Sequence, residues 1–161
     1  MSLSMTGEKI ALVAVAAAIL RMKLENVSIV AFDTQAHRLV RVGERLPLRE
    51  VVRRVLMVPA QGYTHIAAGL EAALDELARS RRPEKVAILM SDGISNVGQD
   101  PVRVAGRFDN LHVVQIGRDL PQGSRACRGM AQAGHGRRFH APTYVALPVV
   151  VKRLIREVFR V

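Results

Sequence analysis

Apolar residues along this chain change period from one segment to the next, and the changes mark its elements. Ile10 to Leu20 is an unbroken apolar run inside a stretch rich in Ala and Leu, which predicts a buried helix over 8–24. Residues 27–32 (VSIVAF) form a short β-branched run and predict a buried strand. After the turn Asp33-Thr34-Gln35, residues 36–42 carry Arg38 and Arg41 among Leu39, Val40 and Val42. That predicts a hairpin whose second strand is an antiparallel edge, its arginines suiting exposure. Residues 48–56 predict a short helix ended before Pro59. Beyond Gln61-Gly62, Ile66, Leu70, Leu74 and Leu77 recur at helical spacing, with Glu71, Asp75, Glu76 and Arg79 expected to face water.

The second half repeats the alternation. Residues 85–90 (KVAILM) predict another buried strand, ended by the turn Ser91-Asp92-Gly93. Asp100-Pro101 reads as an N-cap with Pro at the first helical position, opening a helix to Phe108. Residues 111–116 (LHVVQI) predict a strand, 124–133 a helix stopped by Gly134, 137–140 a short strand, and 147–159 a final helix. Alternating helices and buried strands imply an α/β protein. The expected architecture is a Rossmann-like three-layer open sheet, mostly parallel with one antiparallel edge strand and helices on both faces. Right-handed crossovers put the strand C-terminal ends on one rim, where ligands bind in such sheets. With no repeats, low-complexity tracts or linkers, 1–161 reads as a single domain.

Composition narrows the function classes. Hydrophobic residues are 49% of the chain, which excludes disorder, while aromatics are only 4%, so the core is aliphatic. The net charge of +10 favours acidic partners. The basic residues are scattered and lack stacking aromatics, which favours a solvated basic surface over nucleic-acid binding. The single Cys127 forms no internal disulfide and fits a reducing compartment; its helical setting reads as buried filler. Ile10 to Leu20 falls short of the roughly 20 residues that span a bilayer and has only Lys9 before it as a basic leader. The expectation is a cytoplasmic protein without a membrane segment.

No GxxxxGK[ST] loop, no GxGxxG between strand and helix, and no GxSxG elbow occurs. His135 and His140 lack Cys or carboxylate companions and read as surface histidines. What remains is an oxygen-rich set at three expected strand ends: Ser2-Leu3-Ser4-Met5-Thr6, Gly62-Tyr63-Thr64-His65 and Ser91-Asp92-Gly93. Hydroxyls and a carboxylate are hard ligands that suit Mg²⁺. Taken singly, Ser4, Thr6 and Thr64 are equally well explained as helix caps, and Asp92-Gly93 as a turn. Their joint order carries the argument.

That order resembles the metal-ion-dependent adhesion site of von Willebrand factor type A domains, whose pattern is DxSxS, then a Thr, then an Asp. Ser2 and Ser4 match the SxS, and Thr6-Gly7-Glu8-Lys9 continues it. Gly62-Tyr63-Thr64, followed by Ile66, Gly69 and Leu70, matches the threonine loop and its helix; 88–93 (ILMSDG) with Asn96 and Gly98 is similar to the Asp segment. The resemblance implies a metal held by Ser2, Ser4, Thr64 and Asp92, Mg²⁺ as the ion, and a non-enzymatic module that captures a carboxylate of a protein partner. It is to intracellular members that accompany AAA+ ATPases, metal chelatase subunits included, which makes an AAA+ ATPase a candidate partner. The resemblance departs at its start. The Asp of DxSxS would stand immediately before Met1, and the strand carrying it, normally in the middle of the sheet, is not in this sequence. An ammonium at Met1 opposes a cation, and strands left without that neighbour make self-association an expectation. The rival readings are a metal-assisted phosphohydrolase with Asp92 as its base, a basic nucleic-acid-binding domain, and a module with an inactive metal site.

Overall fold

The computed structural model describes residues 7–58 and 62–161. In chain order these form α1 (Gly7–Lys23), β1 (Ile29–Phe32), β2 (Ala36–Val40), α2 (Leu48–Leu56), α3 (Ile66–Arg79), β3 (Ala87–Ser91), α4 (Pro101–Ala105), β4 (Leu111–Ile116), α5 (Pro121–Ala133), β5 (His135–Ala141) and α6 (Leu147–Phe159), with a 3-10 turn at Tyr144–Ala146.

All six residues of β4 are buried, because a strand covered by helices on both faces has no polar side. It pairs in parallel with β3, Ala87 opposite Leu111, and with β5, Val114 opposite Phe139. Side chains alternate between two aliphatic layers. Val114, Ile116 and Met90 join Val13, Ala17, Val51, Val151 and Leu154 beneath α1, α2 and α6. Leu111, Val113 and Leu89 join Phe32, Ile66, Leu70, Val104 and Met130 beneath α3, α4 and α5. The fold is therefore the expected three-layer α/β arrangement. β1 and β2 form the expected antiparallel hairpin, Phe32 opposite Ala36. The described strands fall into two sheets, β1-β2 and β3-β4-β5, and β1 and β3 both border a cavity of about 450 Å³.

Several details differ from the sequence expectations. α5 begins at Pro121 rather than Ser124, since proline's fixed φ suits a first helical turn. α4 stops at Ala105, where Gly106 N–H bonds back to the Val102 carbonyl at 3.1 Å. The cap at its other end is as read: the Asp100 carboxylate accepts from Val102 N–H at 2.9 Å. α1 buries one face, through Val13, Ala14, Ala16, Ala17 and Leu20, while Ala11, Val15 and Met22 lie exposed. Glu76 is the largest departure, being 1% exposed instead of facing water. Its carboxylate accepts from Val42 N–H at 2.8 Å and sits 3.2 Å from Arg38 Nε of β2.

Cys127 is buried, and burial pushes its thiol up to about 12. We expect no labelling by iodoacetamide at pH 8 in the folded protein and complete labelling in denaturant. Fast native labelling, followed by mass spectrometry, would contradict this burial. Among the described residues, no helix is long and apolar enough to cross a membrane.

Candidate functional site at the strand C-terminal rim

Three segments meet at the C-terminal ends of the strands. The first is the turn after β1, where the Thr34 hydroxyl accepts from Tyr63 N–H at 2.9 Å and the Asp33 carbonyl accepts from His65 N–H at 2.8 Å. The second is the loop that enters α3 and carries Thr64. The third is the loop after β3, which binds Thr64 from both sides. Asn96 Oδ1 accepts from Thr64 N–H at 3.2 Å, Asn96 N–H donates to the Thr64 carbonyl at 2.9 Å, and the Ser95 hydroxyl donates to that carbonyl at 3.3 Å. Thr64 and Asp92 thus stand at one rim, on loops locked to each other through the backbone. Ser2 and Ser4 lie outside the described residues.

Asp92 follows the last residue of β3. Its Oδ1 accepts from Ile94 N–H at 2.9 Å, a local turn of the kind aspartate favours. Gly93 supplies the φ of +84° that reverses the chain. A Cβ there would come within 2.7 Å of Cys127 Sγ, so the Asp92 loop rests directly on α5. Gly123 of α5 lies under the Asp92 carbonyl in the same way. α5 is itself pinned to the sheet. The fully buried Gln115 donates to the Ser124 hydroxyl at 3.1 Å and accepts from Arg138 Nε at 2.7 Å. Arg138 also pairs with Asp119 at 2.9 Å, and the Ser124 hydroxyl donates to the Asp119 carboxylate.

This arrangement leaves specific oxygens free. Thr64 is buried at 7% exposure, yet its hydroxyl has no hydrogen-bond partner among the described residues. The second carboxylate oxygen of Asp92 likewise has none, and Asp92 itself is exposed. An unpartnered hydroxyl and a free carboxylate oxygen are hard donors of the type a divalent cation takes. The negative charge at Asp92 reaches Tyr144, whose phenol is held above its ordinary value chiefly by burial and secondarily by that charge. Among the described residues no group of three or more His, Cys, Asp or Glu converges. The residues that build the rim but carry no motif are Thr34, Ser95 and Gly123. Their partners lie 29 to 31 positions away for the first two, so no local pattern could reveal them; Asn96 alone stood in a recognisable segment.

No histidine among the described residues bonds a serine, threonine or cysteine side chain; His37 meets Asp33, and His65, His135 and His140 meet backbone carbonyls. No described serine, threonine or cysteine is therefore activated by a neighbouring histidine.

An open α/β fold with converging loops at the strand C-terminal rim defines a class of binding modules built on a Rossmann-like sheet. The family model of the von Willebrand factor type A domain matches residues 1–95, more than half of the 161 residues. The chain belongs to that family. Domains of this family are mostly non-enzymatic modules that bind protein partners. No curated protein sequence matches the chain. Among solved structures, a von Willebrand factor type A protein from Catenulispora acidiphila is 18% identical, with a TM-score of 0.74 over 90% of this chain and 37% of its own. Proximal thread matrix protein 1 from the mussel byssus, with a zinc-occupied metal-ion-dependent adhesion site, is 16% identical, with a TM-score of 0.73 over 92% of this chain and 42% of its own. Manganese-loaded TRAP protein from Plasmodium vivax is 20% identical, with a TM-score of 0.65 over 89% of this chain and 65% of its own. The chain thus spans about two fifths of the mussel protein's length, and likeness at these identities is likeness of fold.

Proposed function

We propose that this chain is a non-enzymatic protein-binding module whose rim holds a divalent cation, Mg²⁺ first, and captures a carboxylate of a partner protein. The observation that carries the reading is that Thr64, a largely buried residue beside the Asp92 loop, has a hydroxyl with no hydrogen-bond partner among the described residues. Thr64 and Asp92 would hold the ion with Ser2 and Ser4. The bound ion supplies the positive charge to which a partner's carboxylate is drawn. Asn96 and Ser95 keep the Thr64 backbone fixed, and α5 keeps Asp92 from swinging away, so the donors are preorganised rather than collected on binding. Metal-occupied relatives with zinc and manganese support the same use of this rim.

The test is calorimetry with Mg²⁺ and Mn²⁺, followed by a peptide bearing one glutamate. The expected result is saturable cation binding that raises the Tm by mass action, and peptide binding that appears only with the ion and vanishes on Glu→Gln substitution in the peptide. Glutamate-peptide binding that is indifferent to the ion and falls steeply with salt would instead point to the net charge of +10. Turnover of a phosphomonoester with Mg²⁺, abolished by Asp92→Asn, would replace this reading with the phosphohydrolase. An AAA+ ATPase, the partner class the sequence resemblance implies, is the protein to test first.

A further inference from the structure

At the N-terminal end of the sheet, opposite the Thr64 rim, a histidine is built into the core. His112 is the second residue of β4 and is 5% exposed. It shares a face with Val114 and Ile116, in the layer that also holds Phe139 and α6. Its backbone stands opposite Ile88 of β3 but has no counterpart on β5. Leu111 lies opposite His135 and Val113 opposite Arg138, so β5 carries one residue too many across from His112. At this bulge Arg137 N–H donates to Nδ1 of His112 at 3.0 Å. The side chain thus supplies an acceptor where the ladder is interrupted.

That bond fixes the protonation of the ring. Nδ1 accepts only with its lone pair free, so the proton of the neutral imidazole is on Nε2. Nε2 is buried and has no hydrogen-bond partner among the described residues. The surroundings oppose a second proton. Ile88 and Val114 are apolar, and the Phe139 ring meets the imidazole edge-on at 6.3 Å. Arg137 of β5 and Arg153 of α6 both lie over Phe139, at 5.3 and 5.5 Å. Glu157 of α6 is engaged by Arg137 at 2.7 Å and lies 3.8 Å from Arg153. His135, the other histidine at this end of β5, is exposed and meets the Phe108 carbonyl. Burial first, and Arg137 second, hold the His112 imidazole below its ordinary pKa.

We propose that His112 is an acid-sensitive latch that ties β5 and α6 to β4, closed while its ring is neutral and opened by a proton. A proton on Nδ1 sets two donors face to face where one bond had been, and it leaves a buried cation beside two arginines. The ring then has to leave its site, and Arg137 N–H loses its acceptor. Arg137 also carries the pair with Glu157, so the link from β5 to the end of α6 loosens with it. Because folding lowers this pKa, the stabilisation is complete above about pH 6.5, the ordinary histidine value. It is lost as pH falls from there toward the folded-state value.

Urea unfolding of the full chain between pH 7.5 and 5 tests the latch, beside the variants His112→Asn and His135→Asn. Asparagine at 112 offers an acceptor near the Nδ1 position and takes up no proton in this range. Below about pH 6.5 the unfolding constant of the wild type should rise by up to tenfold per pH unit more than that of His112→Asn. His135→Asn should keep the wild-type slope. Two measurements on the wild type stand even if His112→Asn does not fold. Nitrogen NMR of the ring should show Nδ1 unprotonated at pH 7 and titration below the ordinary histidine value. Protection of the Arg137 amide against exchange should fall by about tenfold or more between pH 7 and 5.5, with that of Leu89 in β3 unchanged. Equal slopes in wild type and His112→Asn, or loss of the slope in His135→Asn, would overturn the proposal. So would a proton on Nδ1 at pH 7, a ring that titrates at or above the ordinary value, or unchanged protection of Arg137.

Discussion

Phe32→Ala is expected to destabilise the protein by about 3–5 kcal/mol and to loosen the rim at the same time. Phe32 ends β1 at 1% exposure, among the largest fully buried side chains. Its ring fills the space that a side chain on Gly69 of α3 would need, with Phe32 Cγ 2.7 Å from the position of a Cβ there. The next two residues, Asp33 and Thr34, accept the hydrogen bonds of His65 and Tyr63. Removing the ring therefore opens a cavity beside α3 and frees the turn that positions Thr64. Urea unfolding with an unchanged m-value would measure the loss. A cost near 1 kcal/mol would show that α3 collapses onto the gap and that the ring does not set the position of the Thr64 loop.

The strands and helices themselves were largely legible in the sequence. The apolar run at 111–116 and the Pro148-led pattern at 147–159 coincide with β4 and α6 residue for residue, because a fully covered strand and a strongly two-sided helix announce their own limits. The hairpin was legible from Leu39 among arginines, and the rim from the order of Thr64 and Asp92. Glu76 was not. Helical spacing puts it beside Leu77, and only the arrival of Arg38 and Val42, 34 positions or more earlier in the chain, supplies a charge partner and a donor that allow its burial. The supports of the site were illegible for the same reason: Thr34, Ser95 and Gly123 act through contacts between loops, which no local period encodes.

Asp92→Asn is expected to weaken divalent-cation binding by about tenfold or more while leaving the fold intact. The substitution keeps an oxygen for the Ile94 N–H bond at 2.9 Å and so preserves the turn. It removes the formal charge that draws the cation. Asp92→Ala removes both, and should add a stability loss of about 0.5–1.5 kcal/mol from the missing hydrogen bond. The pair of variants separates the two contributions: equal cation affinity in wild type and Asn variant, with a loss only in the Ala variant, would show that Asp92 serves the turn and not the ion. Calorimetry alongside thermal melts reads both quantities on the same samples.

The most direct test of a cation site at this rim is to watch where a paramagnetic ion goes. Mn²⁺ titrated into isotopically labelled protein broadens amide resonances within a short radius of its position. The first signals lost at low stoichiometry are expected to be those of residues 63–65 and 92–96, with Thr64→Ala and Asp92→Ala each relieving the broadening. Broadening centred instead on the Asp33–His37 pair or on the exposed Asp119, or spread over the acidic surface without saturation, would contradict it.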